Sequence, residues 1–401
     1  MKARATSIRC ISCGTVAKTE LPDSLCAKCG SLLEIRYSVT KMSKKKLFGG
    51  EGPGVWRFRA ALPFDATVEP VSLNEGNTPL VLARNLRAAG SVDRLYFKND
   101  GQNPTGSFKD RGMSVAMTRA KTLDASALVC ASTGNTAASL AAYAAKARLP
   151  AVVVVPQGKI ATGKLGQAFA YGARVFGVAG NFDAALNLVF ELVKKHREFY
   201  LVNSVNPFRI EGQKVAAFEI YEQLGEVPDY LVLPVGNAGN ISAFWKGFKE
   251  LKLSGISRKL PRMIGVQAEG AAPIAEAVSN GGDVRPWPEP NTVASAIRIG
   301  NPVSWRKALN AIKESGGTAL TVSDQEILDA REELATKEGL LVEAASAAAA
   351  AALPKLKFPR RSIVACIATG NGLKDVADHK LRMDVSPVES AESLARAFGH
   401  A

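Results

Sequence analysis

The sequence predicts a parallel-sheet α/β fold preceded by a small metal ribbon, and three observations predict it. Short apolar, β-branched runs alternate with helical periods over most of the chain, the pattern of strand–helix–strand units built on parallel sheets. Two Cys-x-x-Cys pairs stand near the N-terminus. The turns between strand and helix are polar or glycine-rich, and open α/β sheets hold ligands at such strand ends.

A chain of 401 residues is long enough for two medium domains or for one large α/β unit with an appendage. No apolar run approaches a membrane span, and MKARATSIRC lacks the apolar core of a secretory signal, so a cytoplasmic protein is expected. The 51 basic and 37 acidic residues give +14. Without an aromatic-interleaved basic stripe, that excess fits an anionic substrate and a basic surface better than nucleic acid. Its one dense cluster, Lys41 and Lys44 to Lys46, falls in a segment read as a linker, residues 41–70.

In chain order, Cys10 and Cys13 are separated from Cys26 and Cys29 by twelve residues, and each pair is followed by glycine (Gly14, Gly30). Four thiolates in two knuckles suit tetrahedral Zn²⁺ and leave no open coordination position, so a structural zinc ribbon over residues 1–40 is expected. Disulfides are the alternative, disfavoured in a reducing compartment. Cys130 and Cys366 lie in apolar runs and are expected in the core.

The run Leu95 to Phe97 is a strand that ends in Asn99, Asp100 and Gly101, and Pro104, Gly106 and Ser107 punctuate the turn before a helix starting near Lys109. A helix start carries partial positive charge and disfavours an ammonium relative to the neutral amine, which makes Lys109 a candidate nucleophile rather than a surface charge. Ala127 to Ala131 is a strand leading into Ser132-Thr133-Gly134-Asn135-Thr136-Ala137 and a small-residue helix. This reads equally as an anion site or as the N-cap of an ordinary crossover. Ala151 to Val155 and Arg174 to Val178 are strands, with a turn and helix over Gly158 to Gln167 and an amphipathic helix over Phe182 to Lys195. His196 follows as a helix-dipole partner rather than a catalyst.

Tyr200 to Ser204 is a strand opening into Asn203-Ser204-Val205-Asn206-Pro207-Phe208-Arg209, where an arginine beyond an Asn-Pro turn can fork two hydrogen bonds to an oxyanion. Asp229 to Val235 is a strand opening into Gly236-Asn237-Ala238-Gly239-Asn240 and a helix. That turn permits close approach to a phosphate but fits neither the dinucleotide nor the Walker pattern. Met263 to Gln267 is a further strand, and Leu340 to Leu353 reads as one Ala-rich packing helix. The last strand, Ser362 to Ala368, leads into Thr369-Gly370-Asn371-Gly372-Leu373-Lys374-Asp375.

Taken together, Asn103-Pro104-Thr105-Gly106-Ser107-Phe108-Lys109-Asp110-Arg111-Gly112, the EGNTPL run from Glu75, STGNTA, NPFRxEGQK, GNAGN and the Thr369 turn resemble the motifs of the threonine synthases, in their order. These are fold type II pyridoxal-phosphate enzymes, related to threonine dehydratase, cysteine synthase and the tryptophan synthase β subunit. Members often carry Glu where Asp100 stands. The GNAGN turn suits threonine synthases, whereas dehydratases tend to run GGGG and cysteine synthases GTGG. Some members also carry an N-terminal ribbon.

The resemblance implies a two-domain, tryptophan synthase β-like fold, with a large domain over residues 71–105 and 203–385, a small domain over 106–202 and a tail over 386–401. It implies that Lys109 forms the Schiff base with pyridoxal 5′-phosphate, that Asn135 faces the cofactor's phenolic oxygen, that Gly236 to Asn240 cup its phosphate and that Thr369 bonds its pyridine nitrogen. The loop Thr292 to Arg298 is implied near the cofactor ring. Ser132, Thr133 and Thr136 are implied as contacts to the substrate carboxylate, and Asn203, Ser204 and Arg209 as contacts to a substrate phosphate. The implied reaction converts O-phospho-L-homoserine and water to L-threonine and phosphate. A homodimer is the expected assembly, with no nucleic-acid or membrane partner. The alternatives are cysteate synthase, which uses phosphoserine and sulfite, or another replacement enzyme on a phosphorylated amino acid. A zinc-ribbon nucleic-acid-binding protein is the alternative from a different class.

Overall fold

The fold divides into three sheets whose composition follows from which strands are buried on both faces. The computed structural model describes residues 6–18, 24–37, 41–86, 92–157, 162–180 and 182–378. The expected tail at 386–401 and part of the expected turn after Gly158 lie outside these residues.

The N-terminal unit is antiparallel: β1 (Thr6–Cys10), β2 (Val16–Ala17) and β3 (Leu33–Tyr37), in the order β2-β1-β3. Its apolar side chains Ile8, Leu33 and Ile35 join the main core rather than forming one of their own. The strands are too short and too few to stand alone.

Residues 41–70 are not the linker read from the sequence. They form α1 (Lys44–Phe48) and a 3₁₀ turn over Gly54–Ala61, with Trp56, Phe58 and Ala61 fully buried. Trp56 Nε1 donates to Ser114 Oγ at 2.7 Å, and Phe58 packs on Phe218. The lysine cluster has the composition of an exposed segment, yet the aromatic residues behind it decide the structure, because burying them is worth far more than solvating an exposed charge.

The larger sheet contains β4 (Leu80–Ala83), β5 (Arg94–Asn99), β10 (Tyr230–Pro234), β11 (Arg262–Ala268), β12 (Thr318–Val322) and β13 (Ile363–Ala368), ordered β12-β11-β10-β13-β5-β4. All neighbours are parallel except the edge strand β4, which runs antiparallel to β5. Every residue of β13 is buried, as parallel strands covered on both faces require. The smaller sheet, β8-β7-β6-β9, is wholly parallel and comprises β6 (Ala127–Ala131), β7 (Ala151–Pro156), β8 (Arg174–Val178) and β9 (Phe199–Leu201). Its strands lie between residues 106 and 202, and those of the larger sheet lie outside that span.

Helices cover both sheets. They are α2 (Lys109–Thr122), α3 (Asn135–Ala147), α4 (Thr162–Ala170) and α5 (Phe182–Lys195) in the middle of the chain, followed by α6 (Pro207–Gln213), α7 (Val215–Leu224) and α8 (Gly239–Leu253). The C-terminal set is α9 (Pro273–Asn280), α10 (Trp305–Ser315), α11 (Asp324–Glu338) and α12 (Ala344–Ala351). The caps are readable in the sequence: Asn206 accepts from Phe208 N with Pro207 at the first helical position, and Ser323 with Glu326 forms a reciprocal capping box. The Leu340–Leu353 run is a correction. Helix α12 begins only at Ala344, because Val342 bridges to Asn371 and Glu343 N bonds Gly370 O, which holds 341–343 extended.

Candidate active site

The strand order decides which loops meet. Strands β10, β13 and β5 are consecutive in the larger sheet. Their C-terminal ends therefore deliver the GNAGN turn, the Thr369 turn and the Lys109 loop side by side. In the smaller sheet β6 and β9 are neighbours, and they deliver the STGNT loop and the Asn203–Arg209 segment. The cleft between these loops is lined by Lys109, Asn135, Ser204, Arg209, Gln213, Gly236 to Asn240, Ala296, Ile297, Glu343 and Thr369.

Lys109 is the first residue of α2. Its loop is fixed from three sides. Phe108 N bonds Thr369 O at 3.0 Å and Asn371 N bonds Gly106 O at 2.9 Å. Thr105 gives Asp110 its backbone N–H at 2.7 Å and its hydroxyl at 2.6 Å. Beneath the loop, Arg111 is fully buried and forks onto Glu219 (2.8 and 2.8 Å) while also reaching Asp100 at 2.8 Å. Lys98 Nζ reaches Glu219 at 2.7 Å and donates to Thr78 O at 2.6 Å. Asp100 is thus spent on an ion network, and Thr78 of the EGNTPL run donates to it at 2.8 Å. The Lys109 amine is pulled down to about 7 by burial first and then by the positive charge of Arg209; Glu343 opposes this and Lys374 adds to it.

Arg209 is 2 % exposed; its Nη1 donates to Val202 O at 2.9 Å, and its Nε is buried without a protein partner. Burial, countered by too little negative charge, lowers its guanidinium to about 10. Gln213 Oε1 and Asn240 Nδ2 are likewise buried without protein partners at the same cleft. Buried polar atoms left open in this way are expected where a polar ligand completes them. The GNAGN turn places Ala238 in the left-handed region (φ +63°) as it enters the 15-residue α8. Backbone N–H groups at that helix start suit a phosphate. Beside it, Gly236 packs so closely on Ala296 O and Ile297 that a Cβ would come within about 3.1 Å of both.

Thr369 exchanges a 2.8 Å hydrogen bond with Ser346 Oγ, and Gly370 N donates to the same oxygen at 2.8 Å. Of the STGNT loop only Asn135 lines the cleft. Ser132 Oγ accepts from Gly134 N at 3.2 Å, Thr136 is buried in α3, and Thr133 stands at the turn. Asn203 departs from the expected phosphate contact: its amide exchanges two 2.9 Å hydrogen bonds with Ala131 N and O, tying the loop to β6, and it does not line the cleft. Ser204 does line it. A buried carboxamide between two strands satisfies backbone groups first, which Asn-Ser spacing cannot reveal.

The sequence reading missed Glu343, Gln213, Ser346 and Lys374. Glu343 is hidden in an alanine-rich run, and its one local signal is being the sole charged residue there. Lys374 sits five residues beyond Thr369 in the same turn, where nothing local sets it apart from a solvated lysine.

Away from the cleft, the Sγ atoms of Cys10, Cys13, Cys26 and Cys29 all lie within 4.8 Å of one another. Three of the separations are 3.4, 3.5 and 3.7 Å. They are too long for disulfides and close to the edge of about 3.8 Å that Zn–S bonds of about 2.3 Å impose on a tetrahedron. The N–H groups of Ser12 and Cys13 point at Cys10 Sγ, both at 3.4 Å. Gly14 and Gly30 instead turn the chain, at φ +71° and +69°. Cys130 and Cys366 are fully buried in β6 and β13. Among the described residues no helix is long and apolar enough to cross a membrane.

The pyridoxal-phosphate dependent enzyme family model matches residues 71–370. The threonine synthase of Methanocaldococcus jannaschii is 50 % identical over 391 residues, 95 % of this chain and 96 % of its own length. The threonine synthase of Synechocystis is 51 % identical over 321 residues, 79 % of this chain and 82 % of its own. The solved structure of maize serine racemase superposes with a TM-score of 0.63 at 21 % identity, covering 80 % of this chain and 91 % of that one, a likeness of fold. With two relatives sharing half their residues across most of their length and a family model spanning both sheets, the chain belongs to the pyridoxal-phosphate dependent enzymes, among the threonine synthases.

Proposed function

We propose that this chain converts O-phospho-L-homoserine and water to L-threonine and phosphate in the cleft between the strand ends of its larger and smaller sheets. What carries the reading is one arrangement: a half-buried lysine of lowered basicity, an incompletely bonded buried arginine and a glycine-rich helix start line a single cleft. Pyridoxal phosphate, when bound, supplies the electron sink that makes the substrate's Cα–H and Cβ–H acidic.

Lys109 would hold the cofactor, and its amine, once free, takes the proton from Cα and then from Cβ. A proton delivered to Cγ takes the place of the departing phosphate, water gives its hydroxyl to Cβ and its remaining proton to the released phosphate, and a proton returns to Cα, so the carbons gain one hydroxyl and lose one phosphate. Backbone N–H groups of Gly236 to Asn240 hold the cofactor phosphate, while Ser204 and Arg209 hold the substrate phosphate through the free guanidinium edge. Ser132, Thr133 and Thr136 stay candidates for the substrate carboxylate. Asn135 would hold the cofactor on the side of its phenolic oxygen and Thr369 on the side of its ring nitrogen. Fixed donors at both ends of the substrate lower the barrier by orientation.

The test is phosphate release by purified protein given O-phosphohomoserine, and in parallel O-phosphoserine with sulfite. Threonine with equimolar phosphate from the first alone is expected. Turnover only in the second would make the protein a cysteate-forming enzyme.

We also infer that the four N-terminal cysteines hold one structural zinc. Metal analysis is then expected to find one zinc per chain. Thiol titration of the native protein should find four more reactive thiols after chelation, with Cys130 and Cys366 silent until unfolding. Four reactive thiols before chelation would remove the metal from the picture.

A further inference from the structure

Glu343 and Lys374 take no part in the chemical steps above, yet they are the two charged side chains that hold Asn135. Asn135 Nδ2 lies 3.0 Å from each carboxylate oxygen of Glu343, so that one N–H is shared between the two and the other is left over. Lys374 Nζ donates to Asn135 Oδ1 at 2.7 Å. The carboxamide therefore lies between a cation on its oxygen and an anion on its nitrogen. A free carboxamide has two orientations of similar energy; here the reversed one would set its oxygen against a carboxylate and its N–H₂ against an ammonium.

Two glycines make the space for this arrangement. A Cβ on Gly370 would fall 2.2 Å from Glu343 Oε1, and one on Gly106 would fall 2.8 Å from Lys374 Cε. Gly106 also sits at φ +75°, which few other residues adopt. Both glycines belong to the loops zipped together beside Lys109, through Phe108 N to Thr369 O and Asn371 N to Gly106 O. Glu343 itself is held by its N–H on Gly370 O at 3.1 Å.

We propose that Glu343 and Lys374 are positioning residues that lock the Asn135 amide with its nitrogen toward Glu343, presenting the remaining N–H for the cofactor's phenolic oxygen, and that they set the charge balance around Lys109. The proposal rests on the reading of Lys109 and Asn135 given above. The groups that face Glu343 are Lys374 and Asp375 from the turn after β13, Lys109 from α2 and Asn135 from α3. Burial pushes the Glu343 carboxyl up and the Lys374 amine down, and the charge of each acts against the shift of the other. At Lys109 the two have opposite signs of effect, Glu343 raising and Lys374 lowering its affinity for a proton.

That opposition gives a signature no loss of packing would produce. In holoenzyme titrated with pH and followed by cofactor absorbance, Glu343→Gln is expected to move the transition down by about one unit and Lys374→Met to move it up by about one unit. The double variant should return close to the wild-type value. Gly370→Ala, which displaces the Glu343 carboxylate without removing it, should shift the transition in the same direction as Glu343→Gln. If a variant does not retain the cofactor, the same opposite displacements are read on cofactor-free protein from the pH dependence of Lys109 reductive methylation. Shifts of one sign for both single variants, or none, would overturn the proposal. Absence of the cofactor band in the wild type would instead sink the reading of Lys109 on which it rests.

Discussion

Lys109→Ala abolishes the Schiff-base absorbance of bound pyridoxal phosphate and lowers the rate of threonine formation by at least about 10³-fold, the scale expected when one group both anchors the cofactor and transfers protons. The amine is half-buried at the start of α2 and packs 4.1 Å from the centroid of the Phe108 ring. Burial and the nearby Arg209 bring its pKa to about 7, against 10.5 for an ordinary lysine. Two consequences follow with definite signs. The rate at which cofactor-free wild type takes up pyridoxal phosphate should rise through about pH 7 and level off, whereas an ordinary lysine would still be gaining reactivity near pH 10. Between these two values the unfolded chain binds a proton that the folded one does not, so cofactor-free wild type gains stability as pH rises from about 7 toward 10.5. Lys109→Ala removes this gain, and at pH 7 its cofactor-free form should melt no lower than wild type. A variant that keeps both the band and the activity would show that another group forms the Schiff base.

Arg111→Met carries the largest expected effect on stability, a loss of about 3–5 kcal/mol read by denaturant unfolding. Arg111 satisfies two buried carboxylates at once, Glu219 through both terminal nitrogens and Asp100 through Nη2, and donates to Thr78 Oγ1 at 2.9 Å. Removing it leaves Glu219 with Lys98 and leaves Asp100 with the Thr78 hydroxyl, both inside the protein. Burial alone would raise the Glu219 carboxyl; Arg111 and Lys98 overcome that and hold it well below the usual range. A depressed carboxylate contributes stability that is present above its unfolded value and lost as pH falls through the folded one. The wild type should therefore lose stability on acidification below about pH 4, with a shallower slope in Arg111→Met. Arg111→Lys should rescue only part of the loss, since an ammonium cannot fork onto Glu219 and still span to Asp100. Equal stability of wild type and Arg111→Met would mean that the network under the Lys109 loop is dispensable. Because that network fixes the end of β5, activity should fall with it.

Much of the cleft was legible in the sequence because each part is a local event: a strand ends, a glycine or small polar residue turns the chain, and a helix begins. Lys109, Asn135, the Gly236–Asn240 turn and Thr369 all occupy such junctions, and they line one cleft. The gathering of the four cysteines was legible too, since Cys-x-x-Cys spacing is a local constraint. Segments 41–70 and 340–353 read poorly for the complementary reason. Residues 41–70 are charged and turn-rich in composition, and only packing of Trp56 and Phe58 against Ser114 and Phe218 makes them core. Residues 340–353 have a uniformly helical composition, and only the backbone bonds to Gly370 and Asn371 hold Glu343 outside the helix and in the cleft.

By itself, then, the sequence determined the strand–helix alternation, the turns that line the cleft and the pairs of cysteines, all of which are written in residue types a few positions apart. The tertiary structure alone decided the order β10-β13-β5, which seats three distant loops together, and the commitment of Asn203 to β6 rather than to the cleft. It also decided the setting of Asn135 between Glu343 and Lys374, more than two hundred residues away in the chain. Such contacts depend on strand order and on where a Cβ is missing, as at Gly106 and Gly370, and neither quantity has a local signature in the chain.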